Sequence, residues 1–224
     1  MITSPSNQRL KLIKRLQSRR QRERLGLFVC EGEDLVEAGL AAGAEPVDRL
    51  VAGEDVAPEL LGDVSTLAHA PRVVAIFRRA DLPVAGEQTR ALALWRVADP
   101  GNVGTLIRTA DAFGAAVYLS AGCADPTGPK ALRASMGAIF RVPTGRFDDA
   151  PERRVALVPR GGTPLGELHL PRPVTFVLGA EREGLPIDVV SGCDATASIP
   201  LGEDAESLNV AVAGAIALYE LRRR

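Results

Sequence analysis

Three loop segments carry the side chains and glycines that are best placed for chemistry. The first is 99–104 (Asp-Pro-Gly-Asn-Val-Gly), which leads into a segment that bears Arg108. The second is 178–186 (Leu-Gly-Ala-Glu-Arg-Glu-Gly-Leu-Pro), and the third runs from Ile199 to Val210. Each follows an apolar run typical of a buried strand, and ligands of open α/β sheets bind at the carboxyl ends of strands. By themselves the three loops predict a pocket that binds a small molecule through backbone groups.

The individual side chains in these loops also fit purely structural roles. Asn102 is placed to be the N-cap of the helix that follows it. Arg108 lies off the apolar stripe of that helix, where pairing with an acidic residue three positions further on is a common outcome. Ser207 fits the N-cap of the last helix with Asn209 in its first turn, and Glu181 fits a turn between glycines. Only the order of these residues along the chain, taken together, can distinguish a functional role from a structural one.

Composition argues against several other classes of site. Three scattered cysteines, Cys30, Cys123 and Cys193, form neither a disulfide framework nor a zinc motif. The two histidines, His69 and His169, have no second candidate ligand beside them in the sequence, which argues against a metal enzyme or a histidine-based triad. No strand is followed by a Gly-x-Gly-x-x-Gly fingerprint or a Walker loop, which disfavours a Rossmann-type oxidoreductase.

The elements that must position these loops form two predicted α/β units, 1–85 and 90–224, joined by a linker. The first unit would hold a basic helix over 6–24 followed by short alternating elements. The second alternates apolar strands with helices, which indicates a doubly wound parallel sheet covered on both faces. Its predicted strands are 91–97, 116–119, 155–158, 174–178 and 195–199, and its predicted helices are 102–113 and 207–221.

Charge is unevenly distributed along the 224 residues, whose formal net charge is only −1. Residues 1–30 hold eight basic residues and one acidic residue, so they carry +7 and the remaining residues carry −8. This start has no apolar core behind it and is not a secretory signal, although an arginine-rich start also fits a mitochondrial presequence. No apolar run approaches the ~20 residues of a membrane span. We therefore expect a cytoplasmic protein with no membrane partner.

The order and spacing of the three motifs closely resemble those of the SpoU (TrmH-type) RNA 2′-O-ribose methyltransferases of the SPOUT superfamily. The matching stretches are 102–114 (Asn-Val-Gly-Thr-Leu-Ile-Arg-Thr-Ala-Asp-Ala-Phe-Gly), 178–185 and 199–210. Between them, 130–143 (Lys-Ala-Leu-Arg-Ala-Ser-Met-Gly-Ala-Ile-Phe-Arg-Val-Pro) is similar to the family's stretch after the first motif. The resemblance covers about residues 90–222. Residues 1–85 resemble, less closely, the ribosomal-protein-like α/β domain with which many members bind RNA.

The resemblance implies that the second unit binds S-adenosylmethionine in a deep trefoil knot formed by the last two motifs. Main-chain groups would read the edges of the adenine, and apolar side chains would form the walls. The residues implied to bind the cofactor are Leu178, Gly179, Gly184, Ile199, Leu201 and Leu208. The residues implied to act in catalysis are Asn102, Arg108, Glu181, Ser207 and Asn209.

The implied reaction moves a methyl group from a sulfonium to a ribose 2′-hydroxyl of structured RNA. A guanidinium is too basic to accept a proton readily, so Arg108 is better suited to clamp a phosphate and stabilise a developing alkoxide than to act as the base. Asn102 and Asn209 would orient the ribose and Arg108. Glu181 and Ser207 would hold the pocket.

The family also forms homodimers through its C-terminal region, which implies a dimer here. The final helix is apolar on nearly every side, as a helix with a second partner would be, although burial within its own domain is an alternative. We expect 23S ribosomal RNA as the substrate, because a separate N-terminal domain could recognise a hairpin loop or bulge by shape. Transfer RNA, a drug-site resistance methylation and a non-catalytic RNA-binding role are the alternatives.

Overall fold

Two β-sheets, one in each half of the chain, organise the computed structural model, which describes residues 1–223. The first half contains, in chain order, α1 (Gln8–Leu16), α2 (Arg19–Leu25), β1 (Leu27–Glu31), α3 (Glu33–Ala41), β2 (Asp48–Val51), α4 (Pro58–Val64) and β3 (Val73–Arg78). The strand order is β1-β3-β2, and both neighbouring pairs are antiparallel. Residues 65–72, between the end of α4 and the start of β3, form no helix or strand.

The single helix predicted over 6–24 is wrong, because the chain divides it into α1 and α2. Ser18 adopts an extended conformation between the two helices. Leu10, Ile13 and Leu16 bury the apolar face of α1 in the core of the first half. Helix α2 instead directs Arg22 into the junction with the second half, where its side chain is buried. A single straight helix could not bury both the apolar face of α1 and the side chain of Arg22.

The second sheet has seven strands, all parallel to their neighbours, in the order β6-β5-β4-β9-β7-β10-β8. Its elements in chain order are β4 (Arg90–Leu94), α5 (Pro100–Phe113), β5 (Ala116–Leu119), α6 (Pro129–Ser135), β6 (Thr144–Arg146), β7 (Arg154–Leu157), β8 (Thr163–Pro164), β9 (Val174–Leu178), α7 (Ile187–Ser191), β10 (Ala195–Ser198) and α8 (Val210–Arg223). The predicted parallel α/β sheet is confirmed. All carboxyl ends of its strands therefore lie along one edge, which is where the predicted loops are found.

Helices α5, α6 and α8 cover one face of this sheet, and α7 packs on the other. Leu92 of β4 and Leu106 of α5 belong to the core on the first face. Helices α5 and α6 approach closely at Gly104, where an added Cβ would overlap the carbonyl oxygen of Ala131 and lie 2.6 Å from the Cβ of Ala134. This close packing fixes the first predicted loop, which enters α5, against the sheet.

Strand β4 ends at Leu94 and not at Val97 as predicted. Arg96 adopts a left-handed conformation with φ of 54°, which turns the chain away from the sheet direction. Strand β10 likewise ends at Ser198, one residue before the predicted end. In both cases the apolar run continues beyond the strand because its last residues line the core or a pocket.

The two halves share a core and a buried ion pair. The rings of Phe28 and Phe77 lie 5.8 and 5.1 Å from the ring of Phe140, which belongs to the second half. Nε of Arg22 donates a 2.8 Å hydrogen bond to Asp125, and both side chains are about 95% buried. The halves are therefore packed together. No helix within residues 1–223 is long and apolar enough to cross a membrane.

Candidate active site

A pocket of about 510 Å³ lies at the carboxyl ends of β7, β9 and β10. It is built from the second and third predicted loops, together with the segment that follows β7. All six residues that the resemblance implies for the cofactor line it, namely Leu178, Gly179, Gly184, Ile199, Leu201 and Leu208. Glu181, Ser207 and Asn209 line it as well, whereas Asn102 and Arg108 do not.

The loop after β9 folds back on itself and needs glycine at two positions. Gly184 has a φ of 67°, and its N–H donates a 2.9 Å hydrogen bond to the carbonyl oxygen of Ala180. A Cβ on Gly179 would overlap the backbone carbonyl carbon of Gly184 and lie 2.5 Å from the N atom of Leu185. Because neither glycine has a side chain, backbone groups border the pocket directly.

The carboxylate of Glu181 joins this loop to the first predicted loop. It accepts hydrogen bonds from the backbone N–H groups of Ala98 (3.3 Å) and Asp99 (3.2 Å) and from Nδ2 of Asn102 (3.0 Å). Burial opposes the charged form, but these hydrogen bonds outweigh it and lower the pKa of Glu181. Glu181 therefore carries a negative charge that connects the second predicted loop to the first, a role beyond that of a turn residue.

Asn102 and Asn209 complete the connection among all three loops. Nδ2 of Asn209 donates a 3.1 Å hydrogen bond to Oδ1 of Asn102, whose own amide bonds Glu181. Oδ1 of Asn209 accepts from the N–H of Ala211 (2.8 Å), so Asn209 caps α8. The prediction of Ser207 as that cap is wrong, because the helix begins three residues later than Ser207, at Val210.

The N-cap of α5 is Asp99, and the prediction of Asn102 in that role is wrong. Oδ1 of Asp99 accepts a 3.0 Å hydrogen bond from the N–H of Asn102, and Pro100 occupies the first turn. Nζ of Lys130 lies 2.8 Å from the other oxygen of Asp99. The hydrogen bond from Lys130 and that from the Asn102 backbone lower the pKa of Asp99. An aspartate directly before a proline was the available sequence signal for this cap.

Arg108 lies apart from the pocket of its own chain. Its side chain is exposed, and within residues 1–223 no hydrogen bond or ion pair holds its guanidinium. The structural role considered for it, a pair with Asp111, is wrong, because Asp111 binds Nη2 of Arg141 at 2.5 Å. The structure thus joins Asn102, Glu181 and Asn209 at the pocket and leaves Arg108 free on the outer surface of α5.

The pocket fits S-adenosylmethionine in size and in chemistry. Its volume is in the range of ligand sites for molecules of this size. Leu178, Leu201 and Leu208 offer apolar walls for an adenine, while the glycine loop offers backbone donors and acceptors. Sequence reasoning missed the segment 157–159, which also lines the pocket and spans the end of β7. In the described part of the chain, no group of three or more His, Cys, Asp or Glu residues could hold a metal ion.

Comparisons with known proteins agree with this geometry. The model of the SpoU rRNA methylase family matches residues 89–219, and that of the MRM3-like substrate binding domain matches residues 7–80. The 23S rRNA (guanosine(2553)-2′-O)-methyltransferase of Bacillus subtilis is 32% identical over 244 residues, which cover 99% of this chain and 98% of that protein. The 23S rRNA (uridine(2479)-2′-O)-methyltransferase of Streptomyces viridochromogenes is 34% identical over 83% of this chain and 72% of its own length.

Among solved structures, the AdoMet-bound rRNA methyltransferase from Sinorhizobium meliloti superimposes with a TM-score of 0.89 at 30% identity. The superposition covers 99% of this chain and 97% of that one. The similarity thus includes both halves of the chain, not the pocket alone. The chain belongs to the SpoU rRNA methylase family of RNA methyltransferases.

Proposed function

We propose that this protein transfers a methyl group from S-adenosylmethionine to a ribose 2′-hydroxyl of 23S ribosomal RNA in the cytoplasm. The main support is the continuous set of hydrogen bonds from Glu181 through Asn102 to Asn209. It ties together the three loops that carry the family motifs, beside a pocket that fits the cofactor. A non-catalytic RNA-binding protein would have no need of this arrangement.

The chain's own contribution to the reaction is positioning and electrostatic stabilisation. The cofactor supplies an electrophilic methyl group on a sulfonium. Leu178, Gly179 and Ile199 hold it in the pocket, and Asn102 and Asn209 orient the ribose at the pocket opening. A 2′-hydroxyl is a weak nucleophile, so Arg108 clamps the neighbouring phosphate and stabilises the developing alkoxide while the hydroxyl proton passes to water. The methyl group would then be transferred to the 2′-oxygen as its bond to sulfur breaks, with S-adenosylhomocysteine as the leaving group.

The position of Arg108 supports a homodimer in which each subunit completes the site of the other. The guanidinium lies outside its own pocket and has no partner within residues 1–223. Helix α8, which packs against α5, exposes Val212 and Tyr219 by 47% and 58%. An interface over these helices would cover the apolar side chains and bring Arg108 to the second subunit's pocket. We further propose that segments 178–186 and 199–210, which line one pocket, form the trefoil knot.

The substrate assignment rests on the first unit, residues 1–85, as an RNA-binding domain attached to the catalytic unit, residues 90–224. Three of the eight basic residues in 1–30 form ion pairs with carboxylates of the chain, namely Arg9, Arg19 and Arg22. The other five are exposed and have no partner within residues 1–223, so they are free to contact phosphates. They are Lys11, Lys14, Arg15, Arg20 and Arg24.

Transfer RNA is the second candidate substrate, and mapping separates the two. Purified protein is incubated with methyl-labelled S-adenosylmethionine and unmodified 23S ribosomal RNA or bulk transfer RNA. We expect label in one ribose 2′-O-methyl position of the ribosomal RNA. Label in transfer RNA alone would replace the substrate assignment, and binding of both ligands without transfer would contradict the enzymatic proposal.

Subunit complementation tests the shared site. Arg108→Ala is co-expressed with Gly179→Val, whose side chain would block the glycine loop, and the mixed dimer is purified on two different tags. Neither variant alone transfers methyl groups, but the mixed dimer has one complete site and so about half of the wild-type activity per dimer. An inactive mixed dimer with intact cofactor binding in its Arg108→Ala subunit would place Arg108 in the site of its own chain.

A further inference from the structure

Arg96, just after the carboxyl end of β4 and beside the cofactor pocket, has a strained backbone conformation. Arg96 has a φ of 54°, a backbone conformation that is unfavourable for any residue with a Cβ. The turn has a structural role, because it lets the backbone after β4 form hydrogen bonds to residues at the carboxyl ends of both neighbouring strands. The N–H of Trp95 donates to the carbonyl oxygen of Leu178, and the N–H of Arg96 donates to Oγ of Ser120. Glycine would make this turn without strain.

The side chain of Arg96 has no partner that would explain why an arginine occupies the turn. It is exposed, and within residues 1–223 no hydrogen bond or ion pair reaches its guanidinium. Its Cγ lies across Gly122, where an added Cβ would come within 3.2 Å of it. Gly122 also has a positive φ, of 95°. The two turns together support the stem of an arginine whose guanidinium has no hydrogen-bond or ion-pair partner in the described chain.

A second cavity of about 510 Å³ lies beyond Arg96 along the same edge of the sheet, at the carboxyl ends of β5 and β6. Both halves of the chain line it. Its charged lining residues are Arg19, Arg79, Arg146 and Asp149. Each arginine pairs with a carboxylate outside the lining, but the side chains of Arg19 and Arg146 remain 53% and 79% exposed. In the sheet, β4 therefore lies between the strands that carry the two cavities. Its neighbour β9 borders the cofactor pocket and its neighbour β5 borders the second cavity, and neighbouring strands lie about 5 Å apart.

We propose that Arg96 binds a backbone phosphate of the RNA strand as it passes from the cofactor pocket into this second cavity. The assignment rests on the proposed function, because it gives a path for the strand that flanks the methylated nucleotide. A phosphodiester is the partner that an exposed, unpaired guanidinium between the cofactor pocket and a cavity lined by arginines fits best. The conformational strain at Arg96 is then the cost of holding that charge between the two cavities.

The chain offers a matched control at the opposite edge of the sheet. Arg153 is also an exposed arginine with a left-handed backbone, φ of 69°, and it directly precedes β7. Unlike Arg96, it donates a 3.0 Å hydrogen bond from Nη1 to the carbonyl oxygen of Pro171. Replacing either arginine by glycine removes one positive charge and relieves the same kind of strain. Only Arg96→Gly is expected to weaken RNA binding, since Arg153 lies at the amino ends of the strands.

The experiment measures binding of full-length protein to unmodified 23S ribosomal RNA between about 50 and 200 mM salt. We expect Arg96→Gly to bind several-fold more weakly and to lower the slope of log K against log salt by about 0.7 to 0.9. Arg96→Lys should retain the wild-type slope, and Arg153→Gly should match the wild type in both measurements. S-adenosylmethionine affinity and thermal stability should be no lower in Arg96→Gly, which excludes misfolding.

Two negative results have different meanings. Equal RNA binding by Arg96→Gly, Arg153→Gly and the wild type would overturn the assignment of Arg96 while leaving the proposed function intact. Equal losses in Arg96→Gly and Arg153→Gly would overturn it as well, because the effect would then be general charge. An absence of salt-dependent RNA binding by the wild type would overturn the proposed function together with this assignment.

Discussion

The buried ion pair between the two halves gives the sharpest test of how the fold serves the reaction. In Asp125→Ala, the guanidinium of Arg22 would stay buried with its two backbone acceptors, the carbonyl oxygens of Leu16 (2.8 Å) and Gln17 (2.9 Å), but without a counter-charge. Removing one partner of a buried pair typically costs about 3–5 kcal/mol. That is a large part of the roughly 5–15 kcal/mol by which a folded domain is stable.

Urea denaturation measures the effect, and a second ion pair in the chain supplies the control. A loss of this size corresponds to a midpoint about 1.5 M lower, for a slope of roughly 2–3 kcal/mol per M. Asp48→Ala removes the carboxylate that binds Arg9 within the first half, where the side chains are 41% and 21% exposed. That pair should contribute at most about 1 kcal/mol.

A double variant and a functional readout separate the ion pair from general damage. Arg22→Met combined with Asp125→Ala removes both charges of the pair and should recover part of the loss, because Arg79, which also pairs with Asp125, is 30% exposed and can be solvated. Under conditions where Asp125→Ala is folded, it should bind S-adenosylmethionine normally but methylate RNA more slowly, since the first half is no longer held in place. A destabilisation by Asp125→Ala no larger than that by Asp48→Ala would refute the reasoning.

Three further predictions follow from the site and its charges. Burial opposes ionisation of Asp125, but hydrogen bonds from Thr127 and nearby arginine charges lower its pKa, so its contribution is present above about pH 4, the unfolded value. It is lost as the pH falls further, and acid titrations of Asp125→Ala should lose stability less steeply than those of the wild type. Gly179→Ala should weaken S-adenosylmethionine binding at least tenfold by calorimetry, because its Cβ would overlap the backbone of the loop. Gly86→Ala, with no atom within 4 Å of the added Cβ, should not. Replacing the five unpaired basic residues of the first 30 by glutamine should lower the salt slope of RNA binding, and unchanged affinity across salt would reduce them to a solvated helix face.

Sequence reasoning located the pocket because local pattern and sheet topology agree there. Apolar runs predicted parallel strands, and loops after parallel strands meet at one edge. The structure then brings Glu181, Asn102 and Asn209 into hydrogen-bond contact, although 79 and 107 residues of chain separate two of these pairs. The order of the motifs carried this information, whereas each residue alone fitted a cap or a turn.

The packing of the two halves could not be predicted, because it depends on contacts distant in sequence. Arg22 and Asp125 are 103 residues apart, and neither stands out from its neighbours in composition. The division of the N-terminal helix at Ser18 follows from the same contact, since α2 must turn toward Asp125. The left-handed turn at Arg96 could not be predicted either, because an apolar run continues through it and no glycine stands at that position.

The arginines of this chain divide by whether the fold itself uses their charge, and the division indicates where RNA contacts the surface. Arg22 and Arg141 each bind a carboxylate, and their positive charge is neutralised inside the structure. Arg108 and Arg96 are exposed without a partner in the described chain, one on the helix after the first motif and one beside the cofactor pocket. A near-neutral total charge is therefore compatible with an RNA enzyme, because affinity depends on the unpaired cations that face the substrate and not on the sum.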